Sequence, residues 1–236
     1  KAPDFARDVQ PILNRHCLSC HDGPKPAGEL SLSPAKTNLF NVAYENLTQR
    51  GYVSYVIAND SSTLPLRPPK YYGSHASRLI AALLTTHRDR VGLSAGEWRE
   101  LVEWADLNAP YYGTYTYSRP GTLGGRELLT PGIRRDLQAV YQRRCVSCHQ
   151  GDTGRVERVN FEAVERSPAL LAPLATTAGG TGRCGGVFAG REDADWVALV
   201  AALQRLRQEM AENPRADMLP ARPPLMDDSP RYVYRP

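Results

Sequence analysis

The chain has 236 residues, 42% of them hydrophobic and 23% charged, with a formal net charge of +4. That length supports one large domain or two small ones with a core each, and the composition is that of a soluble globular protein rather than a disordered one. No stretch approaches the roughly 18 to 20 apolar residues that span a bilayer, and the Lys and Arg residues are scattered rather than blocked, which argues against nucleic-acid binding.

No basic segment followed by an apolar one stands at the start, so Lys1 reads as the beginning of a processed chain. The first helix signal is Val9-Ile12-Leu13, whose spacing fits one helical face. It runs into "RHCLSCHDG", residues 15–23. Further on, "YVSYVIA" suggests a short strand. Residues 74–86 predict a helix opened by Ser74, with Leu79, Ile80, Leu83 and Leu84 on one face. Residues 94–106 predict another, opened by the Ser94/Glu97 capping-box pattern and striped by Trp98, Leu101, Val102 and Ala105.

The segment "NAPYYGTYTYSRPGTLGG" reads as a linker between two domains, placed at residues 1–112 and 113–236, with 113–125 as the connection. Beyond it the sequence repeats. "DVQPILNRHCLSCHDG" from Asp8 aligns with "DLQAVYQRRCVSCHQG" from Asp136, and Gln10/Gln138, Arg15/Arg143 and every Cys and His of the motif keep the same offset. Leu137, Val140 and Tyr141 stripe the helix before the second copy. Residues 193–211, opened by Asp193, form the longest predicted helix, with Trp196, Leu199, Val200, Leu203 and Leu206 in register. The fold class is mostly α: two domains of related design with long loops, each carrying one copy of the Cys-x-x-Cys-His phrase.

Cys-x-x-Cys-His is the attachment signature of c-type haem. Cys17 and Cys20 in one copy, and Cys145 and Cys148 in the other, would each bond one porphyrin, with His21 and His149 as proximal iron ligands. A zinc shared by the two pairs is the alternative, but the pairs are far apart in sequence and each opens its own repeat. A thioredoxin-like redox pair would not need the trailing His. Two covalently attached haems c are therefore expected, which implies export to the periplasm or beyond.

The sixth ligand separates electron transfer from substrate chemistry. In small c-type cytochromes it generally comes from the loop before the final helix, which favours His87. His75 is the alternative, with a helix-start or surface role as its ordinary reading, and His16 is expected at the surface. The second domain has no His after His149, so Met218, in a proline-braced loop, is its expected distal ligand. Met226 and an open site are alternatives, and Met210 continues a core stripe. Cys184, in "GGTGRCGGVFAG", is the unpaired cysteine: a buried or free thiol, an intermolecular disulfide or a haem contact. Asp217, Asp152 and Arg155 lie near candidate haem loops, where charged side chains are ordinarily just solvated.

"DFARDVQPILNRHCLSCHDG" resembles the haem-attachment start of planctomycete-type cytochrome c domains. "YGSHASRLIAALLTTHRDRVGLSAGEWRELVEWADLNAPYYGTY" is similar to the corresponding part of the hydrazine synthase α-subunit-like dihaem c-type cytochrome family. The likeness covers residues 4–117 and extends more loosely to the second domain, where a "DMP"-like Met matches Met218. It implies a bis-His electron-carrying haem with His87 as distal ligand. The family's catalytic haem has a Tyr four residues beyond the attachment His, with zinc nearby; Lys25 and Thr153 occupy those positions here.

The expected function is electron transfer between redox partners outside the cytoplasm, with a bis-His, low-potential first haem and a His/Met, higher-potential second haem. The alternatives are a dihaem enzyme, peroxidase-like or acting on small nitrogen or sulfur compounds, and a haem subunit of a larger redox complex. The tail "MDDSPRYVYRP" and the tyrosines of "YYGTYTY" could touch partners or pack on their own chain.

Overall fold

In a computed structural model, residues 2–56, 66–113, 130–150 and 159–219 are described. Residues 57–58 of the expected strand, most of the linker, Asp152, Thr153, Arg155, Met226 and the tail lie outside them. Among the described residues there are seven α-helices and no strand.

The N-terminal helical run has two parts. Asp4 caps a π-helical turn, Phe5–Val9, by accepting from the Arg7 N–H at 3.1 Å. Helix α1, Gln10–His16, follows directly and ends at Cys17. Its apolar face buries Ile12 and Leu13 beside Phe5 and Val9. Gln10 is buried too, because its amide donates to the Leu32 carbonyl at 3.1 Å and accepts from Asn41 at 2.8 Å. Asn41 in turn caps α2, Val42–Gln49, by accepting from the Tyr44 N–H. A pair of buried amides thus fixes α1 against the start of α2, each polar group satisfied.

The expected helix over 74–86 starts later than its sequence suggests. Ser74–Ala76 form a single 3-10 turn, and α3 spans Arg78–Leu84 with Ser77 in an extended conformation before it. The Ser77 hydroxyl donates to the Gly73 carbonyl at 2.7 Å and accepts from the Ser54 N–H at 3.0 Å. Ser77 is therefore committed to joining two loops, and the helix begins only after it. Gly73 sits at φ +78, and a side chain there would collide with the Asp106 carboxylate. In the expected strand, Ser54 makes only an isolated bridge to Gly73.

Helix α4, Ala95–Asp106, begins with the capping box its sequence predicts: the Glu97 N–H donates to Ser94 Oγ, and the Ser94 N–H donates to the Glu97 carboxylate. Its buried face is Leu101, Trp104 and Ala105, with Trp98 and Val102 half-buried. Trp104, outside the expected stripe, is fully buried and donates its indole N–H to the Pro110 carbonyl at 3.0 Å. Ser94→Ala should destabilise the protein by about 1 kcal/mol, read from the denaturation midpoint. No change would mean that water serves the helix end equally well.

The second unit is built on two long antiparallel helices, α5 (Pro131–Arg144) and α7 (Ala194–Glu212), with the short α6 (Pro168–Leu171) between them in sequence. Ile133, Leu137 and Val140 of α5 are buried, as are Trp196, Leu203, Leu206 and Met210 of α7. Met210 is thus core, as its stripe predicts. The two helices are tied at one end by Arg143–Asp195 at 2.6 Å and Arg144–Asp193, and at the other by Arg205–Asp136.

The apolar clusters follow the repeat. One gathers residues between Phe5 and Tyr111; two others gather residues between Ile133 and Met210, with Met218 packed on their edge. Gly113 presses on the N-terminal segment, where an added Cβ would lie 2.6 Å from the Ala2 carbonyl oxygen.

Residues 36–40 join the units. The Phe161 N–H donates to the Lys36 carbonyl, and the Val159 N–H to the Asn38 side chain. Arg215 donates to the carbonyls of Thr37 and Phe40, both at 2.7 Å.

Candidate functional sites

The two Cys-x-x-Cys-His segments fold alike. Cys17 follows α1 at φ −122, ψ −31, and Cys145 follows α5 at φ −121, ψ −25. In each, the His N–H donates to the first Cys carbonyl: His21 to Cys17 at 2.8 Å and His149 to Cys145 at 3.0 Å. Each motif is also held in the same way from outside. Arg15 pairs with Glu97 in the first turn of α4 at 2.7 Å, and Arg143 pairs with Asp195 in the first turn of α7 at 2.6 Å. The duplication therefore includes a packing relation between the motif helix and the last helix of each unit.

At the first motif, His21 Nδ1 lies 3.0 Å from the Leu30 carbonyl oxygen. A carbonyl can only accept, so Nδ1 carries the proton and Nε2 keeps its lone pair. The His87 ring faces this imidazole, with centroids 6.0 Å apart and planes at 34°. His87 Nδ1 is in turn engaged by the Thr86 hydroxyl at 2.9 Å. Both rings thus have Nδ1 occupied and Nε2 left to act as a ligand. Two imidazoles sharing one metal, at about 2.0 Å from each nitrogen, place their centroids roughly 6.3 Å apart. The observed 6.0 Å is close to that separation.

Burial, with the Cys20 thiol beside it, pushes the Cys17 thiol up to about 11. Cys17 is thus protonated at neutral pH, and both cysteines of the pair are free thiols. Leu84, three residues before His87, is 56% exposed, an apolar surface beside the pair. His75 is exposed on the 3-10 turn before α3, whereas His87 is the ring brought to His21. His16, expected at the surface, is half-buried because Glu97 Oε1 lies 3.1 Å from its Nε2. Lys25 is exposed.

At the second motif His149 and Cys148 are exposed, and the Tyr141 hydroxyl donates to the His149 carbonyl. Burial, then the nearby Cys184 thiol, pushes the Cys145 thiol up. Cys184 is exposed and free, not buried; its Gly-rich loop is held by the Cys184 N–H donating to the Ala172 carbonyl, with the side chain left outside the core. Met218 occupies the turn after α7, packed on the cluster of Ile133, Leu137 and Met210.

Asp217, expected as a loop carboxylate, has a fully buried side chain. It accepts from the Tyr111 hydroxyl at 2.6 Å, the Tyr112 hydroxyl at 2.7 Å and Arg215 Nε at 3.0 Å, with Lys36 Nζ at 3.1 Å. Burial alone would raise its pKa; the Arg215 guanidinium, then Lys36 and the Tyr111 hydroxyl, hold it well below the usual carboxylate range. Tyr111 and Tyr112 are pushed upward by burial and by the Asp217 charge, so both stay protonated donors. Nothing in the local sequence announces this cluster, because Lys36, Tyr111 and Tyr112 each lie more than a hundred residues from Asp217. The tyrosines that open the linker therefore pack on their own chain.

Among the described residues, no group of three or more His, Cys, Asp or Glu side chains gathers as a metal site. A tetrahedral zinc needs four protein ligands, whereas a porphyrin brings four nitrogens and asks the protein for one or two axial ligands. No described helix is long and apolar enough to cross a membrane. No family model matches the chain, and no curated protein or solved structure shows significant similarity to it.

Proposed function

We propose that the chain is a dihaem c-type cytochrome that passes electrons between redox partners outside the cytoplasm, either alone or within a larger redox complex. The observation that carries this reading is the His21/His87 pair, two imidazoles 6.0 Å apart with Nδ1 of each occupied, beside a Cys-x-x-Cys turn. Bound haem supplies a one-electron ferric/ferrous couple.

The chain's residues supply attachment, orientation and exclusion. Cys17 and Cys20 would hold the first group and Cys145 and Cys148 the second, with His21 and His149 as the adjacent iron ligands. The Leu30 carbonyl fixes the His21 tautomer, and Thr86 orients His87. Outer hydrogen bonds of this kind hold a ligating imidazole in place and raise its basicity. With both His21 and His87 engaged, the first site keeps no position for a substrate. Its chemistry is then electron transfer rather than bond making. For the second site, Met218 is the ligand expected from sequence.

Carbon monoxide added to the dithionite-reduced holoprotein tests this reading. The expected result is an unchanged Soret band, because each iron retains two protein ligands. A shift worth one haem would instead favour an enzyme with an open site acting on a small nitrogen, sulfur or oxygen species.

A further inference from the structure

We propose that Asn46 and Gln10 are positioning residues for the first haem: they hold the Leu30 carbonyl on His21 Nδ1 and so lower that haem's potential. This rests on the dihaem reading above and names the side chains that tune its first site.

After the first motif the chain turns back on itself. The Ala27 N–H donates to the Cys20 carbonyl at 2.8 Å, and Gly28 and Glu29 reverse the direction at φ +60 and +56. That conformation is uncommon for a residue with a side chain. Arg50 helps to hold it by donating to the Glu29 carbonyl at 2.6 Å. Leu30 follows in an extended conformation, and its side chain and that of Leu32 are buried.

Each carbonyl of the returning segment has its own donor. Leu30 lies 3.0 Å from His21 Nδ1, Ser31 accepts from the Asn46 amide at 2.8 Å, and Leu32 accepts from the Gln10 amide at 3.1 Å. The Leu32 N–H returns to the His21 carbonyl at 2.7 Å. Two amides from different helices, α1 and α2, therefore converge on the segment that orients His21. Burial of Leu30 and Leu32 cannot do this alone, because apolar packing is non-directional whereas a hydrogen bond weakens steeply off its line. Without the amides the leucines could stay buried while the Leu30 carbonyl leaves Nδ1.

The repeat keeps the glutamine but not its use. Gln10 is buried, whereas Gln138, its counterpart before the second motif, is exposed. A hydrogen bond donated from Nδ1 raises the basicity of a ligating imidazole, and a more basic ligand favours ferric over ferrous iron. The clamp thus helps to keep the first haem the lower of the two potentials, the order that sends an electron from the first unit to the second.

The test uses the haem-loaded full chain and its N46L, Q10E and T48V variants. N46L keeps the bulk of the side chain without its donor. Q10E removes the amide donor but keeps the oxygen that accepts from Asn41. T48V is the control, since the buried Thr48 hydroxyl donates to the Tyr44 carbonyl within α2. Haem retained per chain after denaturation is counted first; fewer than two overturns the dihaem reading, and this inference falls with it. With two haems present, both midpoint potentials are measured, the first being the one that remains when Cys145 and Cys148 are replaced by Ser. N46L and Q10E should each shift the ferric/ferrous equilibrium of the first haem toward ferrous by about tenfold, a rise of about 59 mV. Exchange of the His21 Nδ1 proton with solvent, followed by nuclear magnetic resonance of the reduced protein, should quicken in both. T48V should lower stability and leave both readouts as in the native protein. If Q10E does not fold, N46L decides. The proposal is overturned if N46L shifts neither readout, if it moves the second haem as much as the first, or if T48V raises the first midpoint equally.

Discussion

Asp217→Ala should destabilise the protein by about 3–5 kcal/mol, the scale expected when one partner of a buried ion pair is removed. Arg215 is itself buried and would keep its charge after losing the carboxylate, while the Tyr111 and Tyr112 hydroxyls would lose their acceptor. Asp217→Asn keeps the shape and part of the hydrogen bonding, so its loss should be smaller. Chemical denaturation measures both. A change under about 1 kcal/mol for the Ala variant, the range of exposed pairs, would mean that the joint between residues 36–40 and 215–217 does not hold in solution.

The same carboxylate gives a pH signature. Its folded-state pKa lies below its ordinary value, so protonation favours the unfolded chain. Its contribution is fully present above the unfolded value of about 3.9 and is lost as pH falls through the folded value. The native protein should therefore lose stability more steeply than Asp217→Asn below roughly pH 4.

His87→Ala should open one of the two irons. Carbon monoxide should then shift the Soret band by the amount expected of one haem, and added imidazole should reverse the change. His75→Ala should leave the spectrum as it was, since the ring brought to His21 is that of His87. If His75→Ala opens the site and His87→Ala does not, the pairing seen at the first motif is not the ligating one.

What the sequence reveals here depends on range. Both Cys-x-x-Cys-His motifs, the Ser94/Glu97 box and the Asp193 start of α7 are local patterns, and the chain folds accordingly at each. That the His87 ring comes beside His21 is legible from topology alone, because a loop before a final helix is a position rather than a contact. The start of α3 is not, since Ser77 is drawn to Gly73 and Ser54, and Ser54 lies outside any window that reads helix periodicity. Trp104 escapes the apolar stripe because its burial depends on the Pro110 carbonyl that pairs its indole. The Arg215–Asp217 joint is the extreme case: every partner outside its own turn comes from residues 36–40 or 111–112. Cys184 is legible as the odd thiol, but that its loop returns to the motif end of α5 emerges only once Phe188 lies under Arg144.

Each Cys-x-x-Cys-His turn is proposed to carry a covalently bound haem. The intact mass of the denatured protein, after export with haem-attachment machinery, tests it most directly. The predicted mass is the polypeptide plus two haems, falling to one when Cys17 and Cys20 are replaced by Ser and likewise when Cys145 and Cys148 are. A mass equal to the bare polypeptide, with zinc released in place of iron, would contradict it.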